Sequence, residues 1–200
     1  MDMHSINIIR FKLRHLQSEY LRRQRCSAAA PYIHGAILDL GCDAADLLRY
    51  ITNKSEYTGV DIRKEAVDAM NINFPESSFY CVDICRNDQL INRIQSRFDT
   101  IVLLATIEHL QEPIVTLNQC YKMLKDGGTL IVTTPTSKGD KMMQFVQSRV
   151  WFMSQGESPH LRTYNERDLR QLFQQCGFSV ELYKRFVFGL NQLIIGSMKA

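Results

Sequence analysis

The sequence predicts an α/β fold: a mostly parallel, seven-stranded sheet with helices on both faces, ending in an antiparallel hairpin. Three observations carry this expectation. Short apolar runs alternate with amphipathic stretches between residues 36 and 134, and strands joined by helical crossovers pair in parallel and are covered on both faces. Ile37-Leu38-Asp39-Leu40-Gly41 reads as a buried strand entering a tight turn that opens a helix, the arrangement at which doubly wound folds hold nucleotide-like ligands. Near the C-terminus, Phe178–Val187 and Leu190–Ser197 read as two strands joined at Phe188-Gly189, a connection short enough to force antiparallel pairing.

Taken in order, residues 6–29 read as a helix with Ile9, Leu13, Leu16 and Tyr20 on one face and Arg10, Lys12, Arg14, Arg22, Arg23 and Arg25 supplying charge. The plain expectation is a solvated basic face on a helix packed against the domain; a lid or a contact with an acidic partner is the alternative. Pro31 and Gly35 end this segment, so the chain divides into an N-terminal helical segment, 1–34, and a main domain, 35–200. Strands are expected at about 36–40, 57–61, 78–82, 99–104 and 129–134, with helices at about 44–52, 64–73, 87–96 and 113–124. Pro113 sits in the first turn of the last of these, and Gly127-Gly128 is expected to close it. Residues 135–163 read as an insertion with a helical stretch from Met142 to Met153. Asn165 with Asp168 three residues on marks a helix start, and Gly177 marks its end.

Composition narrows the classes of function. Two hundred residues, 45% hydrophobic and 22% charged, suit one soluble domain with a substantial core. A net charge of +3 gives no general affinity for polyanions. No run reaches the ~18 apolar residues of a membrane helix, and the N-terminus lacks the apolar core of a signal peptide. No membrane insertion is expected. The cysteines Cys26, Cys42, Cys81, Cys85, Cys120 and Cys176 contain no Cys-x-x-Cys pair, so they are read as reduced thiols of a cytoplasmic protein.

A dinucleotide site would need Gly-x-Gly-x-x-Gly at the first turn, but Gly41, Asp43 and Asp46 stand there. Two carboxylates would repel a pyrophosphate; a ligand carrying a sulfonium and an ammonium tolerates them. The segment Asp39-Leu40-Gly41-Cys42-Asp43-Ala44-Ala45 resembles the Asp-x-Gly-x-Gly-x-Gly motif of the class I S-adenosyl-L-methionine (SAM)-dependent methyltransferases, with Asp43 and Ala45 replacing the second and third glycines. Tyr57-Thr58-Gly59-Val60-Asp61-Ile62 resembles the strand-two segment of that family. Phe98 to Leu110 resembles its strand four with the Glu-His-Leu run of the small-molecule branch, here Glu108-His109-Leu110. Pro159-His160-Leu161-Arg162-Thr163-Tyr164 resembles a His-x-Arg-x-Tyr stretch of the same branch. The resemblance covers about residues 35–197 and implies the Rossmann-like class I methyltransferase fold.

It also implies a site. SAM would be the cofactor, held by Asp39, Gly41, Asp43, Asp61, Ile62, Asp83, Ile84, Ala105 and Thr106. Asp61 would accept both ribose hydroxyls, Asp83 would face the adenine amino group with Ile84 against the ring, and Ala105 and Thr106 would border the methionine end. The expected substrate is a small molecule, O-methylated by preference, with His160 and Arg162 as contacts. His109 is the candidate base, because an imidazole can take a hydroxyl's proton near neutral pH. Glu108 is read as capping a turn, and Trp151, Phe152 and Met153 could wall the pocket. Asp43 has three readings: a helix N-cap, a contact for the SAM ammonium, or an obstruction that leaves a non-catalytic binding module. A metal-assisted RNA 2′-O-methyltransferase is the remaining alternative. Those enzymes use Glu-x-x-Glu-His and later histidines, and Ala105 occupies the first carboxylate's place. Nucleic acid is therefore not the expected partner. A homodimer is left open. No metal site is assigned, although Glu108, His109 and His160 could together hold a divalent ion.

Overall fold

The computed structural model describes residues 3–86, 89–142 and 160–198, with side chains from residue 16 onward. In chain order the elements are α1 (Met3–Ala29), β1 (Ile37–Leu40), β2 (Tyr57–Asp61), α2 (Lys64–Asn73), β3 (Ser78–Cys81), α3 (Gln89–Arg93), β4 (Phe98–Leu104), α4 (Pro113–Met123), β5 (Leu124–Pro135), α5 (Glu166–Gln175), β6 (Phe178–Phe186) and β7 (Asn191–Met198). They form one seven-stranded sheet in the order β3-β2-β1-β4-β5-β7-β6. β1 to β5 pair in parallel, while β7 runs antiparallel to both β5 and β6. The chain reverses its direction of travel across the sheet between β1 and β4, so the crevice for a ligand opens beyond the carboxyl ends of these two strands.

The period-two alternation of the strands separates two cores. Leu38, Leu40, Ile101, Leu103, Leu130 and Val132 face one side, where α3, α4 and α5 bring Leu90, Leu117, Leu169 and Phe173 against them. Ile37, Val102, Ile131 and Leu193 face the other, covered by Cys26 and Ala29 of α1, Val67 of α2, and Leu47 and Leu48. The capping box that opens α5 forms as the sequence implies: the Asn165 side chain accepts from the Asp168 amide, and the Asp168 carboxylate accepts from the Asn165 amide.

Several expectations are corrected. No α-helix spans 44–52; a turn at 43–45 leads into a single 3-10 turn, Asp46–Arg49. Left-handed backbone at Asp43 (φ 45°) and Ala45 (φ 53°) prevents the helix from starting earlier. Gly127-Gly128 does not close α4, which already ends at Met123; it lies inside β5. Left-handed Gly127 (φ 75°) lets the chain bulge there, where the register against β4 jumps between Phe98 and Thr100. α1 is rotated relative to its apolar stripe. Leu16 and Tyr20 are exposed, and Cys26 and Ala29 are buried. The small side chains at those two positions let the helix lie close to the sheet, which brings Arg22 and Arg25 inward rather than into solvent. The third helix is shorter than 87–96. The helix expected at Met142–Met153, and with it Trp151, Phe152 and Met153, lies outside the described residues apart from Met142, the last described residue of a helical stretch that begins at 137.

Phe178 is fully buried against the rings of Phe173 (centroids 5.6 Å apart) and Tyr121 (5.3 Å apart). Truncation there removes both contacts and leaves a cavity. Phe178→Ala should cost about 3–5 kcal/mol in urea unfolding, against about 1 kcal/mol for loss of the cap in Asn165→Ala.

Candidate active site

The turn after β1 is built almost entirely on the end of β2. The amides of Gly41 and Cys42 both donate to the Val60 carbonyl, at 2.8 and 2.9 Å. The amide of Asp43 donates to Asp61 Oδ2 at 3.0 Å. Gly41 is left-handed at φ 82°, and a Cβ placed on it would lie 2.5 Å from Thr106 Oγ1. Only glycine fits where β1 and β4 approach so closely. Asp43 and Ala45, at the positions the motif would give to glycine, keep left-handed backbone; a short polar residue such as Asp visits that region at modest cost. The motif's shape is thus retained without two of its glycines.

The Asp43 side chain is not an N-cap. The residue flanking the 3-10 turn is Ala45, which makes no side-chain cap. The Asp43 carboxylate instead receives Arg63 Nη2 at 2.5 Å and Arg22 Nη1 at 3.1 Å. Arg22 also lies 3.2 Å from Asp46, so α1 is fastened across the crevice by charge. Arg63 folds back on Asp61, with Nε 3.0 Å from Oδ1, to which its own amide also donates at 2.9 Å. Burial pushes the Asp61 carboxyl up, but Arg63 and the backbone donors outweigh it and hold the group below the ordinary aspartate range. Neighbouring Ile62 is 65% exposed. Asp83 receives the Cys85 amide at 3.0 Å and Arg86 at 3.2 Å, and Ile84 is buried in the core.

Asp39 lies beneath the turn and is buried. The Tyr57 hydroxyl donates to its Oδ2 at 2.6 Å. Burial raises its pKa to about 7, the Tyr57 bond opposes this, and Asp61 and Asp43 add to it. The cavity bounded by Arg22, Arg25, Cys26, Asp39, Asp43 and Leu104 holds only about 50 Å³, far less than the ~300 Å³ or more of a ligand pocket.

At the far end of the crevice β4 ends in left-handed Ala105 (φ 57°), whose amide donates to the Thr133 carbonyl at 2.8 Å. Thr106 packs on Gly41, and a 3-10 turn, Ile107–His109, follows. Glu108 does not cap it. Its carboxylate is buried, and both oxygens lack a hydrogen-bond partner among the described residues. The Glu108 carbonyl accepts the amides of Leu161 at 2.9 Å and Arg162 at 3.3 Å, which ties the segment 160–164 to this turn. The His109 and His160 rings meet edge to face, with centroids 4.9 Å apart. His160 Nδ1 lies 2.6 Å from Asp140 Oδ1, and Thr163 Oγ1 donates to Asp140 Oδ2 at 2.8 Å. Arg162 reaches the Gln111 carbonyl at 3.0 Å. One ligand-type atom each from Glu108, His109 and His160 lies within 4.8 Å of the others.

A switch-point crevice with a left-handed turn on one wall and an imidazole pair at its end is where doubly wound folds hold nucleotide-like ligands. The chain belongs to the class I SAM-dependent methyltransferases: the family model described as "Methyltransferase domain" matches residues 13–183. Among curated proteins it is 27% identical over 103 residues to a ubiquinone biosynthesis O-methyltransferase of Alkalilimnicola ehrlichii, covering 49% of this chain and 40% of that protein. It is 26% identical over 154 residues to a probable S-adenosylmethionine-dependent methyltransferase of Mycolicibacterium smegmatis, covering 72% of this chain and 52% of that protein. The chain thus spans only about half the length of these relatives. The fold is shared with a solved S-adenosylmethionine-dependent methyltransferase from Clostridium acetobutylicum (14% identity, TM-score 0.68, 96% of this chain and 100% of that one). It is shared also with a magnesium protoporphyrin IX methyltransferase from Synechocystis (14% identity, TM-score 0.63, 90% of this chain and 84% of that one).

Of the residues named from the sequence, the structure brings the β1 turn, Asp61 and Thr106 together at the strand ends, and His109 beside His160. Sequence reasoning missed Arg22 and Arg63 as partners of the acidic cluster, Tyr57 as the donor to Asp39, and Asp140 as the residue that orients His160. Arg63 follows Asp61 by two residues and was open to being read as its partner. Asp140 has no local signal, because it meets His160 only through the fold.

The Asp39 carboxyl gives a pH test. Its folded pKa of about 7 stands above the ordinary 3.8, so the folded state keeps a proton that the unfolded chain loses. Its contribution to stability is fully present below about pH 4 and is lost as pH rises through about 7. Asp39→Asn keeps an acceptor for Tyr57 and removes the ionisation. The melting temperature of the variant relative to wild type should climb between pH 4.5 and 8; a difference flat across that window would place Asp39 at its ordinary value.

Proposed function

We propose that this chain transfers a methyl group from SAM to an oxygen of a small molecule, in the cytoplasm, and that the crevice between the β1 turn and the His109–His160 pair is where it does so. The observation that carries the reading is continuity. Thr106 packs against Gly41 of the turn, and His109 lies three residues further on, against His160. Cofactor wall and acceptor end are therefore one surface. The curated O-methyltransferase relatives support oxygen as the acceptor, and six free cysteines suit a reducing compartment.

The residues present fit SAM once two side chains move. The left-handed turn at 41–45 allows close backbone approach, Asp61 offers two oxygens to ribose hydroxyls, and exposed Ile62 offers apolar surface beside it. Arg63, 55% exposed, must leave Asp61, and Arg22 must release Asp43. When bound, SAM supplies an electrophilic methyl group. The protein's part is to hold the acceptor in line, for which positioning supplies on the order of 7–11 kcal/mol, and to activate its hydroxyl at His109, worth about 10²–10⁴-fold. His160 and Arg162 border the acceptor's end of the crevice.

A second reading rests on the same arginines. With Asp43 and Asp61 saturated and only about 50 Å³ open beneath α1, the fold could serve as a non-catalytic binding module. Calorimetry separates the two. Wild type should bind SAM at micromolar Kd, about −8 kcal/mol. Asp61→Ala should weaken this tenfold or more by loss of the ribose bonds, while Arg63→Ala, which frees Asp61, should leave it intact or tighter. No heat at millimolar SAM would reject the enzyme.

The acceptor end has its own test once a substrate is in hand. His109→Ala should lower turnover by about 10²–10⁴-fold with SAM affinity unchanged. Near-wild-type turnover would make His109 structural.

A further inference from the structure

We propose that Glu108, His109 and His160 bind a divalent transition-metal ion at the acceptor end of the crevice. Glu108 is the main ground. It is 1% exposed, and neither carboxylate oxygen has a partner among the described residues. A carboxylate buried in this way is costly unless something positive completes it. The Tyr164 hydroxyl, close to Glu108, is buried and likewise without a partner among the described residues. The pair thus leaves unfilled polar demand in one place.

The second ground is the orientation of His160. Asp140 is itself buried and held by the Thr163 hydroxyl, and it lies 2.6 Å from His160 Nδ1. A carboxylate on one ring nitrogen fixes the tautomer and presents the other nitrogen to a metal. The third is assembly. The Glu108 carbonyl takes the amides of both Leu161 and Arg162, so the two segments that supply the ligands are already joined through backbone. The three ligand-type atoms lie within 4.8 Å of one another. Bond lengths of ~2.0–2.2 Å would draw them closer together than that.

Two imidazoles and one carboxylate form the donor set of catalytic zinc sites, which keep an open position. The set suits zinc, cobalt or manganese rather than magnesium or calcium, which prefer all-oxygen sites. The role of the ion rests on the methyl-transfer reading; its binding does not. It would take the acceptor's oxygen as a further ligand and lower the pKa of that hydroxyl, and His109 would then act as a ligand of the ion in place of acting as the base. The proton would leave to water and the ion's charge would not change.

Cobalt(II) titrated into the full chain, freed of metal by chelator and without SAM, tests the site. Wild type should bind at micromolar Kd with visible bands of a nitrogen and oxygen site and no thiolate charge-transfer band. Glu108→Gln and His109→Ala should each weaken binding tenfold or more, and Asp140→Asn, which acts through His160, by about 10–100-fold. Without metal, Glu108→Gln should melt no lower than wild type, because the replaced carboxyl has no hydrogen bond among the described residues to lose. It should also lose the rise in melting temperature that metal gives wild type. Four results overturn the proposal: no binding by wild type at millimolar cobalt, unchanged binding by Glu108→Gln, thiolate bands, or a metal-free Glu108→Gln that melts well below wild type. SAM calorimetry on the same preparations keeps the two ideas apart. Normal SAM binding without cobalt binding rejects the ion alone, and the converse rejects the cofactor alone.

Discussion

The hydrogen bond from the Asp43 amide to the Asp61 carboxylate is the constraint on which the rest of the site depends. It joins the carboxyl ends of two adjacent parallel strands, and the Gly41 and Cys42 amides reinforce it by converging on Val60. Left-handed backbone costs an L-residue about 1–2 kcal/mol, and Asp43 and Ala45 both adopt it. Such a conformation persists only where the surroundings over-determine it; here the end of β2 does so. This also explains why a long helix after β1 is unnecessary. In other nucleotide sites the helix holds the turn, whereas in this chain β2 holds it, and one 3-10 turn suffices.

The acidic surroundings follow from the same geometry. Asp39, Asp43, Asp46 and Asp61 gather around one turn, and their mutual repulsion must be relieved. Asp39 is relieved by a proton, since burial keeps its carboxyl neutral up to about pH 7. Asp43, Asp46 and Asp61 are relieved by Arg22 and Arg63. An ion pair as exposed as that of Arg63 contributes about 0–1 kcal/mol, so a ligand that brings its own hydroxyls and positive charge displaces it at little cost.

Much of the fold was legible because the alternation of apolar runs with helical stretches is local. β1 to β4, α2 and α4 fall within a residue or two of their expected positions, and the Asn165–Asp168 cap is a four-residue signal. The failures have physical causes. A helix over 44–52 looked well formed by pattern, but φ values at Asp43 and Ala45 set by tertiary contacts stopped it. The face of α1 was misread because its apolar stripe carried less weight than two small residues and Arg22, whose acidic partners Asp43 and Asp46 lie far along the chain. Of the candidate site, the backbone-defined part was readable: Gly41, Asp61 and Thr106 sit at strand ends. The Asp140–His160 contact and the solitude of Glu108 were not, since both depend on which loops meet.

Asp39 and Glu108 show two answers to one problem. Each is a carboxylate almost wholly removed from water, a few residues from the carboxyl end of a central strand. Asp39 has a hydroxyl donor at 2.6 Å and other carboxylates nearby, so neutrality is its stable state. A neutral acid there is silent toward ligands and serves to seat the turn. Glu108 has no donor, and its neighbours are two imidazoles with nitrogen lone pairs to offer. A divalent cation would complete the carboxylate and draw on ring nitrogens that already lie beside it. Burial alone does not decide what an acidic residue does. The hydrogen-bonding character of its neighbours does, and it separates Asp39, seated by Tyr57, from Glu108, which faces two imidazoles.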